Sequence, residues 1–89
     1  MGTLICWENY MPLARAALYQ KGVAIYLAPN TNGNPEWQAT VEHIAIEGRC
    51  FVVNCAPHLL RDDYPADLLA SPEVALLPEV VYRGGSSVI

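Results

Sequence analysis

The chain has 89 residues, a length that allows one small domain at most. Its net charge is −4 and its five Lys and Arg are scattered, so no basic stripe is present to neutralise phosphates, which argues against a nucleic-acid partner. Apolar residues make up 53% and charged residues 16%, yet no apolar run approaches the ~20 residues of a membrane span, so the apolar surplus points to packing against further protein.

Gly2 to Ile5 is a short β-prone run and reads as a buried strand; the chain changes character at Cys6. Pro12 suits the first turn of a helix, where its missing N–H costs nothing. Leu13, Ala16, Ala17 and Gln20 follow at spacings of three and four, and the apolar positions among them are expected to face a sheet. Gly22 reads as a left-handed helix cap. Val23 to Ala28 is a second apolar strand, ended by Pro29. Strand, helix and strand predict a right-handed βαβ unit with parallel strands, and the near-continuous apolar runs predict burial on both faces. Asn30 to Pro35 is dense in turn formers and is a loop. Glu36 to Arg49 reads as the second helix, with Trp37, Val41, Ile44, Ala45 and Gly48 on one face. Phe51 to Ala56 is the third strand, ended by Pro57. His58 to Pro78 loses the pattern and is expected to be a surface excursion with one short helical turn. Val80 to Tyr82 and Ser86 to Ile89 look like strand pieces around Gly84-Gly85. The class is therefore α/β with a βαβαβ core. Both ends break off in apolar, strand-forming runs, so the chain is expected to be part of a larger core.

Cys6, Cys50 and Cys55 make an odd count, spaced as neither a zinc site nor a disulfide framework. Reduced thiols and a cytoplasmic setting are the simplest expectation, in keeping with an N-terminus that lacks a basic flank and long apolar region. Cys6 falls between a strand and a helix. A sharp turn there lifts a side chain clear of the sheet, leaves the next N–H free for an oxyanion, and sets the thiol near a helix N-terminus that favours thiolate. On position alone, two readings stay open: a nucleophile, or a small buried thiol at a strand end. Asn30 and Thr31 lie beyond the carboxyl end of the second strand, where ligands gather in parallel sheets, although turn chemistry accounts for them equally well. Glu42, His43 and Glu47 lack a second histidine, so no metal is expected, but His43 and Glu47 are spaced to pair. Lys21 sits roughly 15 Å of helix rise from the helix start, too far to share a site with Cys6.

The run Gly2-Thr3-Leu4-Ile5-Cys6-Trp7-Glu8-Asn9-Tyr10-Met11-Pro12-Leu13 resembles the nucleophile motif of the nitrilase branch of the carbon–nitrogen hydrolases, Gly-x-Leu-Ile-Cys-Trp-Glu-Asn-x-x-Pro-Leu. At the expected distance, His43-Ile44-Ala45-Ile46-Glu47-Gly48-Arg49-Cys50-Phe51-Val52 resembles a second segment of that family, His-Ile-Ala-x-Glu-Gly-Arg-Cys-Phe-Val. Tyr82 to Ile89 is similar to the family's next strand.

The resemblance implies a four-layer α-β-β-α sandwich, of which residues 1–89 would be a partial domain lacking the N-terminal part and the C-terminal end. It implies that Cys6 is the nucleophile toward a small-molecule nitrile and that the Trp7 N–H meets the oxyanion while the ring walls the pocket; Asn30 and Thr31 are candidates to line it from their place at the strand end alone. Glu8 would tie the turn at Cys6 to its neighbours, and Glu47 and Arg49 would join helix to sheet, leaving Cys50 and Cys55 as buried thiols. The Asp62-Asp63-Tyr64-Pro65 loop would serve subunit contact in a homo-oligomer. No metal or cofactor is implied. The family's glutamate base and lysine precede the cysteine; only five residues precede Cys6 here, none with an ionisable side chain, so this chain alone is expected to be inactive. A cyanide hydratase or dihydratase shares nearly the same motif, and a truncated, non-catalytic interaction module is the remaining alternative.

Overall fold

The computed structural model describes residues 1–89. Its centre is a four-stranded sheet built from β1 (Gly2–Thr3), β2 (Ile25–Pro29), β3 (Phe51–Cys55) and β6 (Ser87–Val88), in the order β1-β2-β3-β6. The first three strands are parallel and are linked by helices α1 (Pro12–Gln20) and α2 (Pro35–Gly48). This is the expected βαβαβ core, a mixed α/β arrangement consistent with a nitrilase-type fold. β6 closes one edge of it, running antiparallel to β3 with Val53 opposite Val88.

The strands alternate. Tyr26, Ala28, Val52 and Asn54 point to one face and are buried beneath the helices, while Ile25, Phe51 and Val88 on the other face are exposed. Burial on both faces is thus not completed within this chain, as expected of one helical layer and part of one sheet, a piece that leaves one sheet face uncovered. Both crossover helices lie on the same side, and the bare side is the one that a second sheet covers in a four-layer sandwich. The core is Val23, Tyr26, Ala28, Trp37, Val41, Ile44 and Val52, with α2 contributing the face that its spacing predicts. Each large side chain buried here contributes about 1.5–3 kcal/mol.

Helix α1 keeps its period but not its phase. Leu13 is 86% exposed and Ala17 is exposed, whereas Arg15, Leu18 and Tyr19 turn inward. A guanidinium on the inner face finds polar partners there, described below, and its bonds set the rotation of the helix. Gly22 has φ +67°, as its cap role requires, and its N–H donates to Tyr19 O at 2.9 Å. Strand β1 stops at Thr3 rather than Ile5, because the Leu4 carbonyl is taken by the side chain of Asn9. Strand β2 runs through Pro29, whose missing N–H falls harmlessly at the strand end.

The excursion after Pro57 is more ordered than its sequence pattern indicates. Strands β4 (His58–Leu60) and β5 (Val80–Arg83) pair antiparallel. Between them lie a 3₁₀ turn (Arg61–Asp63) and two four-residue helices, α3 (Ala66–Leu69) and α4 (Pro72–Ala75). Asp63 accepts from the Leu60 N–H at 2.8 Å, and Ser71 with Pro72 starts α4 as a capping serine followed by proline. No helix is long and apolar enough to cross a membrane.

Arg49 ends α2 in the left-handed conformation, φ +51°, and its side chain is exposed with no ion pair. It joins helix to sheet through its backbone. Since a side chain in that conformation is strained, Arg49→Gly is expected to raise stability by about 0.5–1 kcal/mol in urea denaturation, and Arg49→Ala to give no such gain.

Candidate active site

Cys6 opens a 3₁₀ turn, Cys6–Tyr10, that joins β1 to α1. Its φ is +48°, a left-handed backbone that costs a non-glycine residue about 1–3 kcal/mol and collects at functional sites. Two side chains hold it there. Glu8 folds back so that its carboxylate accepts from the Ile5 N–H at 2.7 Å. Asn9, fully buried, donates from Nδ2 to the carbonyls of Leu4 (2.9 Å) and Cys6 (2.8 Å) and accepts at Oδ1 from the Tyr26 hydroxyl (2.7 Å). The turn is thus bonded on both sides of Cys6 and anchored to the sheet beneath it.

The thiol-bearing residue borders a cavity of about 330 Å³ lined by Cys6, Trp7, the loop Thr31 to Asn34, and Val80 to Arg83 of β5. Trp7 is 72% exposed, so it is a wall of this cavity and not a core tryptophan; its ring packs edge-on against Tyr10 at 5.0 Å, and Tyr10 against the buried Trp37 at 5.6 Å. Thr31 lines the same cavity. A second, shallower hollow brings together Ile5, Cys6, Pro29, Asn30, Thr31, Cys55 and Pro57, the gathering of strand ends expected from a parallel sheet.

Asn30 is only 7% exposed and its polar atoms are occupied. Its Nδ2 donates to Ala28 O (3.1 Å), Asn54 Oδ1 (2.6 Å) and Cys55 O (3.2 Å), and its Oδ1 accepts from the Asn32 N–H (2.7 Å). It shapes the loop that carries Thr31. Cys55 is exposed at the end of β3, not buried as expected, since odd-numbered residues of that strand face the uncovered side; burial of Cys50 pushes its thiol up. Arg49 lies at the amino end of β3, whereas Cys6 lies beyond the carboxyl end of β1. His58 stands exposed in β4 and does not line the cavity.

The carbon–nitrogen hydrolase family profile matches residues 1–89. The chain belongs to the carbon–nitrogen hydrolase family. Its relatives include an aliphatic nitrilase of Sinorhizobium fredii, 45% identical over 89 residues, which span all of this chain and 28% of that protein. An arylacetonitrilase of Trametes versicolor is also 45% identical over 89 residues, again all of this chain and 28% of that protein. A bifunctional nitrilase/nitrile hydratase of Lupinus angustifolius is 46% identical over 92 aligned residues, covering all of this chain and 26% of that protein. The chain spans about a quarter of the length of these relatives.

Within this hydrolase segment, two residues matter more than the motif reading indicates. Asn9 governs the turn at Cys6, as described. Arg15 couples that turn to α2: its Nη1 donates to Asn9 O at 3.0 Å and its Nε to Glu47 at 3.1 Å. Glu47 also accepts from the Tyr19 hydroxyl at 3.0 Å and pairs with His43 at 3.0 Å. Glu47 therefore reaches the site through Arg15.

These partners, Arg15 first, hold the Glu47 carboxyl below its ordinary value of 4.5, while burial and the Glu47 bond push Tyr19 up to about 12. A depressed carboxylate stabilises the fold fully above its unfolded value, and that contribution is lost as pH falls through the lower, folded one. The Glu47 side chain is 38% exposed, so screening limits the effect to about 0.5–1 kcal/mol. Glu47→Gln is expected to be less stable by that amount near neutrality, with the gap closing below pH 4.5 in denaturation curves taken across pH. A gap that does not change with pH would mean that the contribution of Glu47 is not ionic.

Proposed function

We propose that this chain carries the nucleophile segment of an enzyme that hydrolyses a nitrile to a carboxylic acid and ammonia. The observation that carries the reading is Cys6 itself, held in a left-handed turn on the wall of a cavity by Asn9 and Glu8. The names of the relatives agree with it.

The Cys6 thiolate adds to the nitrile carbon and the nitrogen takes a proton, giving a thioimidate. Water adds to that carbon and ammonia leaves, giving a thioester; a second water then releases the acid and returns the thiol. The Trp7 N–H, one of the opening N–H groups of a helical turn that lack an intrahelical acceptor, meets the charge developing on the attacked atom. Thr31 and the Trp7 ring bound the substrate. If the tetrahedral adduct expels the thiolate in place of ammonia, the product is an amide, so the ratio of acid to amide reports which group leaves.

Proton transfer is the step this segment does not provide. No carboxylate lines the cavity, and the Glu8 carboxylate is turned onto the Ile5 N–H. The isolated chain is therefore expected to release no ammonia from nitriles. A protein that contains it together with a carboxylate base and a lysine is expected to form acid and ammonia, and Cys6→Ser is expected to lower that rate by about 10³-fold or more. Turnover that survives Cys6→Ser would sink the proposal. The aliphatic and arylacetonitrile relatives match this segment equally well, so the substrate's organic group is not set by the residues they share.

A further inference from the structure

The Cys6 cavity is also lined by β5, which the sequence marks as a strand but not as part of the site. Of the ten residues lining the cavity, Arg83 is the only one with a permanently charged side chain. It takes part in none of the chain's ion pairs, which join Arg15 and His43 to Glu47 and Arg61 to Asp62. Its backbone is fixed by pairing opposite His58 in the β4–β5 ladder. The loop that carries Thr31 is drawn up against it: a Cβ added to Gly33 would lie 3.0 Å from Gly84 O and 3.3 Å from the Arg83 Cβ, so any larger residue there would push this loop and β5 apart by a few tenths of an ångström. Val80, Val81 and Tyr82 line the cavity beside Arg83.

From this arrangement we propose that Arg83 is a specificity residue of the Cys6 cavity, and that the nitriles accepted there bear a carboxylate. The inference rests on the reading of Cys6 as the nucleophile toward nitriles and adds the substrate class. Residues 1–89 carry a net charge of −4, so within them the Arg83 guanidinium is the local positive group that an anion in this cavity would meet. An unpaired guanidinium presents the planar fork that a carboxylate matches with two parallel hydrogen bonds. A cavity of about 330 Å³ accommodates a small substrate whose nitrile meets Cys6 while its carboxylate meets Arg83.

The test uses the intact chain and needs no turnover. Cys6 is alkylated with iodoacetate, which is anionic, and with iodoacetamide, which is neutral; rates are read by peptide mass spectrometry, with the exposed Cys55 as internal reference. In Arg83→Gln the iodoacetate-to-iodoacetamide rate ratio at Cys6 is expected to fall about tenfold, with the ratio at Cys55 unchanged; Arg83→Lys is expected to retain most of it. A ratio at Cys6 unchanged by Arg83→Gln, or one falling equally at Cys55, overturns the proposal. Should Arg83→Gln fail to fold, the unsubstituted chain decides: propionate is expected to protect Cys6 from iodoacetamide and propionamide is not, and equal protection by the two overturns the proposal. Neither readout depends on nitrile hydrolysis, so loss of anion selectivity leaves the role of Cys6 standing, and turnover surviving Cys6→Ser leaves the selectivity standing.

Discussion

Asn9→Ala is expected to destabilise the chain by about 3–5 kcal/mol. Three hydrogen bonds are lost, at about 0.5–1.5 kcal/mol each, and the buried Tyr26 hydroxyl is left without its acceptor at about 1–3 kcal/mol more. Asn9 is fully buried, so no water replaces the lost partners in place. The backbone strain at Cys6 also loses one of its two counterweights, the amide that bonds the Leu4 and Cys6 carbonyls and, with Glu8, holds φ at +48°. Urea denaturation followed by the fluorescence of the buried Trp37 measures the change. Tyr26→Phe, which removes the hydroxyl and leaves Asn9 Oδ1 unpaired, is expected to cost about 1–2 kcal/mol. In the double variant the two losses should fall short of their sum by about 1 kcal/mol, since both remove one bond of 2.7 Å. A cost for Asn9→Ala below about 1 kcal/mol would show that the turn is held by Glu8 and the backbone alone.

The second large effect lies at Asn54. Its Oδ1 accepts from Asn30 Nδ2 (2.6 Å) and Trp37 Nε1 (2.9 Å), and its Nδ2 donates to Gly85 O (2.8 Å) and Ser87 Oγ (3.3 Å). One buried amide thus joins the loop after β2, the core face of α2 and the approach to β6. Asn54→Leu keeps the branched shape but strands the indole N–H and the Gly85 carbonyl, at an expected cost of about 3–4 kcal/mol. Asn30 suffers less, because its Nδ2 keeps the carbonyls of Ala28 and Cys55. Adding Trp37→Phe removes one stranded donor, so the double variant should be less unstable than the sum of the singles by about 1 kcal/mol. Hydrogen exchange offers a local reading. The Ile89 N–H, bonded to Val52 O at 3.0 Å, is expected to lose protection in Asn54→Leu before the β2–β3 ladder does, because β6 hangs on the Gly85 and Ser87 contacts.

Asn54 also shows what patterning holds in readable form. In Phe51-Val52-Val53-Asn54-Cys55-Ala56, strict alternation puts Asn54 on the face of Val52 and Ala56, so a polar group is aimed at the core and must find partners. The same alternation sends Cys55 outward, which a reading by residue type alone gets wrong. Asn9 lies three residues after Cys6, spaced for a side-chain-to-backbone bond of the kind that competes with regular structure.

By itself, the sequence determined the βαβαβ order, the apolar face of α2, the turn at Cys6 and, through two motif-length runs, the family. These rest on interactions between residues near in the chain, where spacing and residue type are enough. The tertiary structure alone decided the rotation of α1, the network that ties Glu47 through Arg15 to Asn9, and the arrival of β5 with Arg83 at the cavity of Cys6. Each of these joins positions far apart in the chain. Their meeting depends on where the strands end and how the hairpin folds back, which no local pattern of residues encodes.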